Sequence, residues 1–259
     1  MNMLGCLRAS LMAALACAGV GVGGATDLRA APIALPASIA VALRFSEPFG
    51  LGAWGLSAGM LNDKWRELAR KLDDDRVQIA LCDGDRERCV SPAALRFLAI
   101  VDQARARDGR ARLGEINRAI NLAIRPISDL AQYGEEDVWS SPLATFSHRA
   151  GDCEDYAIAK YAALRQAGIA ARDLRIVILH DIRHHEDHAV AAARLDGRWL
   201  VLDNQRMAMV EDADLNSVRP LFVIDEIGIA KYAEAPMLAG APAPLPVTVA
   251  VQDVVAAAD

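Results

Sequence analysis

Residues 151–168 read Gly-Asp-Cys-Glu-Asp-Tyr-Ala-Ile-Ala-Lys-Tyr-Ala-Ala-Leu-Arg-Gln-Ala-Gly, a cysteine flanked by three acids and followed by a segment of helical character. Tyr156 to Ala167 reads as helix, ended by Gly168, so Cys153 stands where the helix begins. Unpaired backbone N–H groups and the helix dipole stabilise an anion there and favour a thiolate. Asp152, Glu154 and Asp155 work against that effect by like-charge repulsion. The stretch therefore asks for two partners: a base to take the thiol proton, and a cation to offset the acids. A cysteine that merely filled a core would have no use for such neighbours.

Downstream, the character changes from helix to strand. Leu174 to Leu179 is a short apolar, β-branched run, and His188 to Arg194 and Arg198 to Leu202 flank Asp196-Gly197, a strong hairpin signal. A two-residue turn there pairs Leu195 with Arg198, Val190 with Asp203 and His188 with Gln205. Residues two apart on a strand share a face, so Asp203 becomes a diagonal cross-strand neighbour of His188, at roughly 7–8 Å between backbones. A carboxylate on one ring nitrogen fixes the imidazole tautomer and leaves the other nitrogen for a thiol, the layout of nucleophilic cysteine catalysis.

Upstream, the spacing predicts helices. Leu61, Trp65, Leu68 and Leu72 form a stripe over Met60–Leu72, which the Asp73-Asp74-Asp75 run is expected to end. Ser91-Pro92 opens a second helix with Leu95, Leu98 and Val101 inward, and a third is expected over Leu113–Ile124, stopped by Pro126. Ser141-Pro142 repeats the cap signal just before the cysteine. A helical front half followed by a hairpin-rich back half makes the expected class α+β.

The chain of 259 residues is 53% hydrophobic, enough for one globular domain with a sizeable core. Its formal charge of -6 and lack of a long basic block argue against nucleic acid as a partner. Met1–Arg8 followed by the apolar Ala9–Val22 and the small residues Gly23-Gly24-Ala25 reads as a secretory signal peptide over 1–25. The remaining divisions are an N-terminal extension at 26–54, a catalytic domain at 55–234 and an Ala/Pro/Val-rich tail at 235–259, within which Val247–Val251 could add an edge strand. Outside the cytoplasm, Cys82 and Cys89 flank a polar turn and are expected to close a disulfide loop, which leaves Cys153 for chemistry.

The cysteine segment, Asp187-His188-Ala189-Val190 and Leu202-Asp203-Asn204 together resemble the bacterial transglutaminase-like cysteine proteinases, the group of the periplasmic LapG-type proteases. The likeness continues through Ile116-Asn117, Ile120-Asn121, Tyr133-Gly134, Asp137, Trp139 and Ser141-Pro142-Leu143. It implies a papain/transglutaminase-like fold with the nucleophile at a helix start packed on an antiparallel sheet. Cys153 would be nucleophile, His188 general base and then acid, and Asp203 the orienting residue. It also implies calcium beside the cysteine, with Asp152, Glu154 and Asp155 matching the family segment and Asp129 and Asp137 as further candidates. The implied substrate is the N-terminal region of a large surface adhesin, cut in the periplasm to weaken biofilm attachment. The implied regulator is a LapD-like inner-membrane receptor for cyclic di-GMP.

Two other readings share these residues: a calcium-dependent binding module without activity, and a transglutaminase-like acyltransferase. His184-His185-Glu186-Asp187-His188 has the wrong spacing for a helical zinc motif, and His180 and His148 read as ordinary polar residues.

Overall fold

The computed structural model describes residues 43–44 and 46–233. The expected signal peptide, most of the 26–54 extension and the 235–259 tail with Val247–Val251 lie outside the described residues. Among the described residues no helix is long and apolar enough to cross a membrane.

Strand β1 (Leu43–Arg44) and β2 (Ala53–Gly55) lead into helices α1 (Met60–Gly84), α2 (Pro92–Arg105) and α3 (Gly109–Ala123). A short strand β3 (Arg125–Pro126), α4 (Asp129–Tyr133), α5 (Pro142–His148) and β4 (Ala150–Gly151) precede the cysteine helix α6 (Cys153–Gln166). Strands β5 (Leu174–Asp181), β6 (Glu186–Leu195), β7 (Arg198–Leu202), β8 (Val210–Glu211), β9 (Val218–Asp225) and β10 (Gly228–Tyr232) follow. The eight-stranded sheet has the order β1-β2-β10-β9-β5-β6-β7-β8 with every neighbouring pair antiparallel. The architecture is α+β.

Helix α1 does not stop at Asp73-Asp74-Asp75 but runs on to Gly84. Aspartate costs only a few tenths of a kcal/mol inside a helix, and one partner within the helix and one from α5 offset that here. Asp73 pairs with Arg76 at 3.0 Å, and Asp75 turns toward α5, where its Oδ2 accepts the Leu143 N–H at 2.7 Å. Helix α2 starts as its sequence dictates: the Ser91 hydroxyl accepts the Ala94 N–H at 3.2 Å, with Pro92 at the first position. Helix α3 begins at Gly109, earlier than its apolar stripe, because its first turn is polar and carries no core residue.

Helix α6 is buried on almost every side, between α2, α3 and α5 and the face of β5 and β6. Its alanines Ala157, Ala159 and Ala163 and the strand alanines Ala189, Ala191 and Ala193 belong to one core. Small side chains on both elements let a helix lie close on a sheet. The alanine-rich β6 face is therefore filled by α6. Trp199 packs on the opposite face, with Val190, Ala192 and Val201, under the guanidinium groups of Arg175 and Arg194 at 5.3 and 5.5 Å.

The sheet thus has two covered faces, and this moves the expected domain boundary. The segment around Glu47–Leu51, together with β1 and β2, lies upstream of residue 55 yet belongs to the packed unit. Ala53 is fully buried, Phe49 and Leu51 pack on the second face, and Trp199 Nε1 donates to Ser46 O at 3.0 Å. Glu47 is buried against Arg175, whose Nη2 donates to Oε1 at 3.1 Å. The reason is physical: an apolar second sheet face needs a cover, and the chain before residue 55 supplies it.

Candidate active site

The β6–β7 hairpin sets the first half of the site. Asp196 and Gly197 both have positive φ, 51° and 79°, the pattern of a type I′ turn, and the ladder runs from Leu195↔Arg198 to Ala191↔Leu202. This is the register the turn chemistry predicted. Beyond its last rung the His188 Nε2 meets Asp203 Oδ1 at 2.9 Å, and the same oxygen accepts the Gln205 N–H at 3.0 Å. Burial alone would raise the Asp203 carboxyl, but the hydrogen bond and charge of His188 outweigh it and hold Asp203 below the usual carboxylate range. With Nε2 engaged by the carboxylate, Nδ1 is the basic nitrogen of the neutral ring; it is buried and meets no hydrogen-bond partner among the described residues.

The start of α6 supplies the second half. Strand β4 pairs in parallel with β3, and the Ile127 N–H donates to Gly151 O at 3.1 Å, so the chain enters α6 from a fixed position. The Tyr156 hydroxyl ties the first turn to the end of α3 by donating to Ile124 O at 2.5 Å. Gly151 is required: a Cβ there would lie 2.7 Å from the Asp155 Cβ. Cys153 is buried, and its sulfur accepts the Ala189 N–H at 3.4 Å. Ala189 follows His188, so the sulfur at the start of α6 lies against the β6 backbone next to the residue that carries the imidazole. Sequence spacing left the meeting of α6 and β6 open; their packing brings the Cys153 sulfur to the Ala189 N–H, one residue after His188.

The acids divide. Oxygens of Asp129, Asp152 and Glu154 lie within 4.8 Å of one another. Asp155, expected to stand with them, lies outside that group; its Oδ1 accepts the Ser140 N–H at 2.9 Å and ties α6 to the segment before α5. Asp137 is not in that group: it is held by Lys64 at 2.5 Å and by the Trp139 indole N–H at 3.0 Å, though its charge still acts on Asp129 and Asp152. Burial, then the neighbouring Asp152, pushes Asp129 up to about 7. Burial pushes Asp152 up, and burial with Asp152 pushes Glu154 well up. Burial, against the Ser140 N–H, pushes Asp155 up to about 8. Cys153 Sγ lies 3.2 Å from Glu154 Oε2, so the cluster reaches the sulfur directly.

These residues fit a hard divalent cation. The donors are all carboxylate oxygens, and the buried Asp129 Oδ1 and Asp152 Oδ1 find no hydrogen-bond donor among the described residues. The histidines outside the pair do not join them. His180 pairs with Asp187 at 2.8 Å and His184 with Asp181 at 2.9 Å, around the β5–β6 turn, and Glu186 to His188 lie in a strand, not on a zinc-binding helix. His148 stands edge-on to Tyr133. Cys82 and Cys89 are joined by a disulfide, S–S 2.05 Å, that links the end of α1 to the loop before α2.

The family model described as bacterial transglutaminase-like cysteine proteinase BTLCP matches residues 78–215, more than half of the 259-residue chain. Among solved structures, Legionella pneumophila LapG is similar at 20% identity and a TM-score of 0.50, with 60% of this chain and 86% of that chain covered. The EGTA-treated form of that protein gives 20% identity, a TM-score of 0.50 and coverage of 63% and 87%. No curated protein matches. The chain therefore belongs to the bacterial transglutaminase-like cysteine proteinase family and is a cysteine protease on the α+β papain/transglutaminase-like fold.

Proposed function

We propose that this protease is a calcium-dependent periplasmic endopeptidase that uses Cys153, His188 and Asp203. One observation carries the reading: the cysteine sulfur at a helix start lies against the Ala189 N–H, while Nε2 of the preceding His188 is held by Asp203. In this mechanism His188 Nδ1 takes the thiol proton and Cys153 attacks the scissile carbonyl. Backbone N–H groups at the start of α6, Cys153 included, stabilise the oxyanion. The leaving amine takes the proton from His188, and water, activated by the same nitrogen, releases the acyl-enzyme. Asp203 keeps the ring in the productive tautomer throughout.

Asp129, Asp152 and Glu154 would hold the cation, and the all-oxygen donor set supports calcium. When bound, the cation supplies the positive charge that offsets the carboxylates beside the thiol. The substrate on this reading is the N-terminal region of a large surface adhesin, whose release weakens biofilm attachment, and a LapD-like receptor for cyclic di-GMP is the regulatory partner. The resemblance of the cysteine segment supports both, and the apolar run at 9–22 supports export to the periplasm.

The test incubates the mature protein with a candidate adhesin N-terminal fragment, with calcium or a chelator, beside Cys153→Ala. Cleavage that needs calcium and is lost in the variant supports the whole reading, and mass analysis separates hydrolysed ends from amide cross-links. Unchanged ligand binding and biological output in Cys153→Ala would favour a binding module instead.

A further inference from the structure

Asp203 orients His188, yet it stands where the sheet has run out. Strand β7 ends at Leu202 and β8 begins at Val210, so residues 203–209 have no ladder to fix them. Side chains from two helices replace it. From α3, Asn117 Nδ2 donates to Arg206 O at 2.9 Å and Met207 O at 3.1 Å, and Asn121 Nδ2 donates to Asp203 O at 2.9 Å and Arg206 O at 3.0 Å. From α6, Lys160 Nζ donates to Leu202 O at 3.3 Å.

We propose that Asn117, Asn121 and Lys160 are positioning residues for the reaction, holding the backbone of 202–207 so that the Asp203 carboxylate faces His188. The role rests on the Cys153–His188–Asp203 reading above.

The chemistry of the contacts argues for a dedicated device. Among the described residues, every hydrogen-bond partner of the two asparagine side chains is a carbonyl, an acceptor only, so each amide must turn its NH2 inward. Their Oδ1 atoms are buried and accept nothing among the described residues, a cost that a purely structural position would shed with an apolar side chain. Asn117 and Lys160 are completely buried. A buried lysine is destabilising, and replacing such a charge by an apolar side chain of similar shape is commonly neutral or stabilising. Its position is explained by what it holds: it spans from the interior of α6 to the carbonyl just before Asp203, and its charge acts on that carboxylate.

The decisive variants are Lys160→Met and Asn121→Ala, read in the full mature protein by thermal melting, by cleavage kinetics and by the NMR resonance of the His188 imidazole N–H. Lys160→Met is expected to keep or raise the melting temperature while kcat falls roughly tenfold to a hundredfold, the scale of a small misplacement, with KM little changed. Asn121→Ala should broaden or shift the His188 N–H resonance as Asp203→Asn does. In the double variant with Asp203→Asn, the loss should not add to that of Asp203→Asn alone. An unchanged resonance with full activity in both variants, or a loss fully additive with Asp203→Asn, would overturn the proposal. If no substrate is cut by the wild type, the resonance still decides the positioning role and only the substrate reading fails.

Discussion

At the scale of single residues, the proposed chemistry depends on Cys153, His188 and Asp203 and on the acids beside the cysteine. Cys153→Ala is expected to abolish cleavage, and Asp203→Asn to lower kcat by roughly a thousandfold or more, because the amide no longer enforces the tautomer that leaves Nδ1 basic. Steady-state kinetics on a cut fragment checks both. The acids carry a pH prediction. Without a cation, Asp129, Asp152, Glu154 and Asp155 all titrate above the usual carboxylate range in the folded protein, Asp129 at about 7 and Asp155 at about 8. A raised folded-state value means the protonated form is favoured by folding. The stability these groups contribute is complete below their unfolded values, near 4, and is lost as pH rises through about 7 to 8. The chelated protein should therefore melt at lower temperature as pH rises from about 5 to 8, and calcium should restore more at the alkaline end, where it no longer competes with protons. Melting curves with chelator or calcium across that range test this, and a calcium effect independent of pH would contradict it.

At the scale of elements, two local devices hold the site. The type I′ turn needs positive φ at both central positions, and Gly197 at 79° is where a side chain is worst tolerated. Gly197→Val is expected to cost about 1–2 kcal/mol in chemical unfolding, and to weaken the His188–Asp203 contact that the register creates. The second device is the link from α1 to α5. Asp75→Ala removes the acceptor of the Leu143 N–H at the start of α5 and should cost roughly 1.5–3 kcal/mol, measured in the same way. Gly151 belongs here too: its lack of a side chain lets the chain turn into α6 close against Asp155.

At the scale of the whole molecule, the second face of the sheet is closed by chain that precedes α1, through Glu47, Phe49 and Leu51. Glu47 and Arg175 are both largely buried, and Asp225 lies within 3.8 Å of the same guanidinium. Removing Glu47 takes away the close hydrogen-bonded partner and leaves Arg175 only the longer Asp225 contact, so Glu47→Ala should destabilise by roughly 1.5–3 kcal/mol, seen as a lowered melting temperature; a shift of a degree or less would show that the segment is a dispensable cover.

Much of this was determined by the sequence alone, wherever the cause is local. Turn chemistry at Asp196-Gly197 fixes the hairpin register, and a period of two then puts His188 and Asp203 on one face. Ser91-Pro92 starts α2, and the run before Gly168 makes α6, because caps, turns and periodicity act over a few residues. Tertiary structure decided whatever depends on which surfaces meet. It helped carry α1 through three aspartates, because α5 was there to receive Asp75, while the Asp73–Arg76 pair is local to the helix. It brought Cys153 to the Ala189 N–H, put Asp129 with Asp152 and Glu154, and turned Asp155 away to Ser140. It buried Lys160 and the Asn117 amide beneath the Asp203 segment, where linear spacing gives no hint of a partner 42 or 89 residues away. Short-range stereochemistry is written into neighbouring residues; the meeting of a helix start with a strand end is set only when the whole apolar core closes.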